Sequence, residues 1–185
     1  GRRIETVADE VDFWYHAGYD YAWIRATYGI DNLFPGAYDS GTGHCPPPIK
    51  TPQDCETYPW KNPRTLDYSI LDEAASHLPD GMGIISGEGG MFSFSWMLTG
   101  MDRFCLEWAE ESKLAKNVLE RVCETLLIIN KRVIDHPAVG AIWLGDDLAF
   151  GTGTFMSPRW LREHIFPYYK EIGEMCKKSG KPFIF

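Results

Sequence analysis

Three acids and one arginine stand directly behind short apolar runs of this chain: Arg25 after residues 21–24, Glu88 after 82–86, and Asp146 and Asp147 after 139–144. Parallel βα folds carry their reacting groups at the C-terminal ends of strands, so these four are the first candidates for chemistry. A carboxyl group there serves as a general acid or base when its surroundings bring its pKa near the working pH. An arginine at the same rim grips a substrate carboxylate with two parallel hydrogen bonds, or pairs with a neighbouring acid. The acids have a plainer alternative as well, because aspartate in a turn bonds to nearby backbone amides and caps helices. If Asp146 is catalytic, Asp146→Asn should impair turnover far more than stability.

Other residues invite a binding role. Phe150 is placed to form an apolar wall, and Gly151 and Gly153 lie just ahead of the helix start Ser157-Pro158, where backbone amides receive anions. Trp143 reads as wall or core. His16, His77, His136 and His164 read as packing or surface groups, and Cys105, Cys123 and Cys176 fall in helical patterns as small apolar residues. The five cysteines are odd in number and form no C-x-x-C pair, which argues against a disulfide framework. His44, Cys45 and Cys55 offer three ligands where structural zinc takes four.

The elements that must position these groups alternate along the chain. A helix over residues 5–17 stops at Gly18, and a long Gly- and Pro-rich loop over 29–65 has the length of a binding-site or lid segment. A helix follows over 66–78, then short helical stretches, then a long helix opened by Ser112 with the stripe Leu114, Val118, Val122, Leu126, Ile129 and Val133. The last helix runs from Ser157 and Pro158 to Gly180, with a kink expected at Pro167. Runs 21–24, 82–86, 139–144 and 181–185 are the strands, and helices between strands imply parallel pairing with the helices on one side. After the third run, Gly151-Thr152-Gly153 lacks the third glycine of a dinucleotide fingerprint. A partial TIM (β/α)8 barrel is therefore the expected α/β architecture, with four strands making about half of one.

Composition narrows the partners. A hydrophobic content of 44% supports a sizeable core, and a net charge of −8 gives no general attraction to nucleic acid or anionic membranes. Without an apolar run of about 20 residues or a long apolar start, a cytoplasmic protein acting on a small molecule is expected.

Several segments resemble the uroporphyrinogen decarboxylase family. They are residues 142–148, Gly151-Thr152-Gly153, Met156-Ser157-Pro158 and Phe166-Pro167-Tyr168-Tyr169-Lys170. Residues 87–104 and Ala17-Gly18-Tyr19-Asp20 are similar to earlier segments of the same family. The resemblance implies that residues 1–185 are one such barrel domain, incomplete at both ends. It also implies a tetrapyrrole, corrinoid or methyl-donor substrate, and a homodimer is compatible with it.

Two chemistries run on that scaffold: tetrapyrrole decarboxylation (a carboxy-lyase reaction) and zinc-dependent methyl exchange between a corrinoid and a thiol. The decarboxylases' Phe-Ser-Asp is replaced here by Ile24-Arg25-Ala26, Trp96 falls nearest their pocket tyrosine, and Asp146 falls where they carry a serine. The methyltransferase-like reading therefore leads, with zinc ligands expected beyond Phe185. Decarboxylation is the alternative, and a non-enzymatic interaction module is the third reading.

Overall fold

In a computed structural model, which describes residues 4–27, 30–37 (backbone only for 30 and 31) and 46–185, the four apolar runs form one sheet. The strands are, in chain order, β1 Tyr21–Trp23, β2 Gly83–Ser86, β3 Val139–Trp143, β4 Ala149–Phe150, β5 Gly153–Thr154 and β6 Phe183–Ile184. The main sheet has the order β1-β2-β3-β6, and every neighbouring pair is parallel. Ala22 pairs with Ile84, Ile85 with Ala141 and Ile142 with Phe183. Strands β4 and β5 form a separate antiparallel hairpin. The fold is thus mixed α/β around a four-stranded parallel sheet.

Helices α1 Val7–His16, α4 Ser69–His77, α7 Lys113–Asp135 and α9 Phe166–Lys178 pack on β1, β2, β3 and β6 in turn. Ala22, Ile84, Val139 and Ile142 are buried, and an irregularity in the register between β2 and β3, after Ile84, shifts the buried positions of β3 from odd to even. The apolar stripe of α7 is buried along its whole length, and each such aliphatic side chain contributes about 1.5–3 kcal/mol of transfer free energy. The opposite face of the sheet is more open: Tyr21 is 40%, Trp143 46% and Ile184 43% exposed.

Helix ends follow local chemistry. The Ser112 hydroxyl accepts the Leu114 N–H at the start of α7, and Gly18 and Gly180 take the positive φ that ends α1 and α9. Three expectations need correction. The loop over 29–65 contains two short helices, α2 Ile30–Leu33 and α3 Pro52–Thr57, the latter opened by a reciprocal cap between Thr51 and Asp54. Helix α4 starts three residues later than expected, because Asn62 and Asp67 accept the N–H groups of Arg64 and Ser69 and hold residues 62–69 in turns. The last helix is two helices, α8 Pro158–His164 and α9, separated at Ile165. Pro167 cannot donate to the carbonyl four residues back, so it sits in the first turn of α9.

Between β2 and α7 lie α5 Met91–Thr99 and α6 Met101–Ala109. No helix among the described residues is long and apolar enough to cross a membrane. His44 and Cys45 lie outside the described residues, and Cys55 is buried in α3.

Candidate functional site

The C-terminal ends of β1, β2 and β3 border a cavity of about 470 Å³. Strand β1 brings Trp23 and Arg25 to it, and residues 87–90 behind β2 bring Glu88. Trp143, Asp146 and Asp147 come from β3 and the turn behind it, and Ser93, Phe94 and Met97 from α5. Arg25, Glu88, Asp146 and Asp147 therefore meet at one concavity. Two glycines allow this convergence. A Cβ on Gly89 would collide with the Gly145 backbone, and Gly90 holds φ 86° at the entrance to α5.

Glu88 is only 3% exposed. One oxygen, Oε1, accepts the Thr27 hydroxyl at 2.8 Å. Its main chain is locked by Asn130 of α7: the Glu88 N–H donates to Asn130 Oδ1 at 3.0 Å, and Asn130 Nδ2 donates to the Glu88 carbonyl at 2.7 Å. The same Nδ2 also donates to the Leu126 carbonyl at 2.9 Å, so the amide is anchored to its own helix. Burial pushes the Glu88 carboxyl above the usual glutamate range, against the smaller opposing effects of the Thr27 hydroxyl and the Arg25 charge. A carboxyl so placed holds its proton at higher pH than a solvated one and can exchange it with a ligand.

Asp146 is engaged differently. Its Oδ2 accepts the Phe92 N–H at 2.9 Å and the Tyr169 hydroxyl at 2.7 Å. Its Oδ1 accepts the Ser93 N–H at 2.9 Å and the Ser93 hydroxyl at 2.6 Å. Phe92 and Ser93 open α5, so Asp146 caps a helix more than fifty residues away in sequence, and the carboxylate suits the positive end of that helix dipole. Four donors fill its lone pairs. An amide at this position would point a donor at other donors, so Asp146→Asn is expected to cost stability as well. Asp147 donates its N–H to Ser93 Oγ at 3.0 Å and leaves its side chain exposed at the rim.

Arg25 lies with its guanidinium carbon 4.9 Å from the centre of the Trp23 ring, a cation–π contact. Trp23 in turn meets Trp143 edge to face, with centroids 5.6 Å apart. The expected alternative, a salt bridge from Arg25 to an acid of the rim, is not formed among the described residues.

Four of the expected binding residues lie elsewhere. Trp96 is on the flank of α5 and packs against the core, since positions 93, 94 and 97 of that helix face the cavity. Phe150 is 54% exposed and leans on Phe155, with ring centroids 5.2 Å apart. Gly151 and Gly153 belong to the β4–β5 hairpin and have open space around them. Gly153 pairs with Phe150 in that hairpin, Gly151 lies in its turn, and neither borders the cavity. His164 packs between Trp108 and Trp160.

Thr27, Ser93, Asn130 and Tyr169 support the site and were not legible as site residues. Asn130 alone left a trace: a polar residue four positions from Leu126 on a helix face that is otherwise apolar. Among the described residues, no three His, Cys, Asp or Glu side chains are grouped to hold a metal ion. No family model matches the chain, and no curated protein sequence matches it.

Proposed function

We propose that this chain is part of a (β/α)8-barrel enzyme of the uroporphyrinogen decarboxylase type, methyltransferase-like in its chemistry, with Glu88 as its proton-exchanging group. The observation that carries the proposal is the buried Glu88, which lines a cavity at the C-terminal ends of parallel strands. Active sites of barrel enzymes occupy that position. The barrel itself is supported by the open sheet face, because parallel sheets are covered on both faces and Tyr21, Trp143 and Ile184 lie exposed on one.

Electrostatics favour methyl transfer over tetrapyrrole decarboxylation. A carboxylate-rich tetrapyrrole needs several cations, whereas the described cavity wall holds one, Arg25, beside three acids. In transfer from a methylcorrinoid substrate to a thiol, the S–H bond breaks and the sulfur pair attacks the methyl carbon. The bond from that carbon to the corrinoid breaks, its electron pair stays with the corrinoid, and Glu88 takes the thiol proton. In the reverse direction Glu88 returns that proton.

The test is methyl transfer from methylcobalamin to 2-mercaptoethanol by the full-length protein, followed by the change in corrinoid absorption. Glu88→Gln should lower kcat and kcat/KM together by roughly 100-fold, the scale of general acid–base catalysis. Release of carbon dioxide from uroporphyrinogen with no methyl transfer would favour decarboxylation instead. A Glu88→Gln enzyme with full activity would remove the proposed role.

A further inference from the structure

The cavity also indicates what kind of molecule it accepts, taking as its premise the reading of the Glu88 cavity as the active site. Arg25 is exposed and lines the cavity. Among the described residues Arg25 forms no ion pair, and the acids that feel its charge, Glu10 and Glu88, do so from beyond contact distance. The Trp23 ring at 4.9 Å holds the guanidinium plane in place and leaves its N–H donors available. An unpaired, preoriented arginine in a concavity is an anion receptor.

The remaining charges limit how much anion it can receive. Glu88, Asp146 and Asp147 line the same wall, so a second negative charge on the ligand would meet carboxylates rather than cations. A planar, singly charged carboxylate matches the guanidinium fork, while a dianionic phosphate would be repelled by the exposed Asp147. Apart from Ser93 and the glycine backbone, the rest of the wall is apolar. The Trp23 and Trp143 rings, inclined at 62°, stand together, and Phe94 and Met97 of α5 also border the space. Trp143 is 46% exposed, an unusual amount of indole surface to leave uncovered at a cavity. A volume of about 470 Å³ suits a body of one or two rings, so the cavity would receive the small partner of the methyl exchange and not the corrinoid.

We infer that the cavity binds a small monocarboxylate with a flat apolar body, its carboxylate held by Arg25 and its body resting on Trp23 and Trp143. The probe is 2-naphthoate, titrated into the full-length protein by calorimetry and by tryptophan fluorescence. Two comparison probes share its shape: 2-naphthamide, which is neutral, and 2-naphthyl phosphate, which is dianionic at pH 8.

The naphthoate should bind at least tenfold tighter than either comparison probe, about 1.4 kcal/mol. Arg25→Gln should abolish that preference, and Arg25→Lys should keep part of it, because an ammonium supplies charge without the fork. Arg25 is exposed and makes no hydrogen bond or ion pair among the described residues, so both variants should retain the native circular dichroism. The inference fails if naphthamide binds as tightly as naphthoate, if Arg25→Gln keeps the preference, or if no saturable binding occurs. Naphthoate binding without methyl transfer would overturn the proposed reaction while leaving the carboxylate site intact.

Discussion

The turns behind β2 and β3 each deliver an acid to the same cavity, and the two acids are held in opposite ways. Asp146 receives four donors: two amides of α5, the Ser93 hydroxyl and the Tyr169 hydroxyl. Glu88 is almost fully buried and receives one side-chain donor, Thr27. Four donors make Asp146 a tie between elements, whereas burial pushes the Glu88 carboxyl above the usual glutamate range. Position at a strand end therefore does not by itself separate a structural acid from a chemical one. The number of donors around each acid does.

The largest effect that sharpens this comparison is expected at Asp146. Asp146→Ala leaves the first amides of α5 and the buried Tyr169 hydroxyl without their acceptor, a loss on the order of 3 kcal/mol in denaturant unfolding. Asp146→Asn should also destabilise, since its amide group cannot accept from donors on both sides. A variant that unfolds like the native protein yet loses turnover would reverse the roles assigned to the two acids.

A smaller effect is expected at Asn130, which is fully buried and makes three hydrogen bonds, two of them to the Glu88 main chain. Asn130→Ala should cost about 2 kcal/mol of stability by leaving the Glu88 N–H and carbonyl unpaired. It should also move the acidic limb of the pH–rate profile, because the Glu88 carboxyl would lose its fixed position. A stability loss with an unchanged profile would make Asn130 a packing residue only.

The framework of this molecule was legible in sequence, and the connections between its parts were not. Apolar runs marked the four sheet strands, and Ser112, Pro158 and Gly180 marked helix ends, because capping and strand burial act within a few residues. The Thr51–Asp54 cap was also local, yet it stood inside a loop read as irregular. That Arg25, Glu88 and the aspartates would border one cavity was legible because strand ends converge in parallel folds. Which amides Asp146 would reach, and whether Arg25 would find an acid, depend on contacts between residues far apart in the chain. Phe150, Gly151 and Gly153 were misplaced for a related reason: a two-residue hairpin strand carries too little pattern to be recognised.

The central claim, that Glu88 is the buried acid poised for proton exchange, is tested most directly by its own titration. Carbon-13 labelling of glutamate side-chain carboxyls, with Glu88→Gln to assign the resonance, would follow its ionisation by NMR. Burial raises the folded-state pKa, so the resonance should titrate above the ordinary glutamate value of about 4.3 and remain that of a protonated carboxyl where solvated glutamates have ionised. Titration at or below the ordinary value would contradict the account, because Glu88 would then ionise as readily as a solvated glutamate.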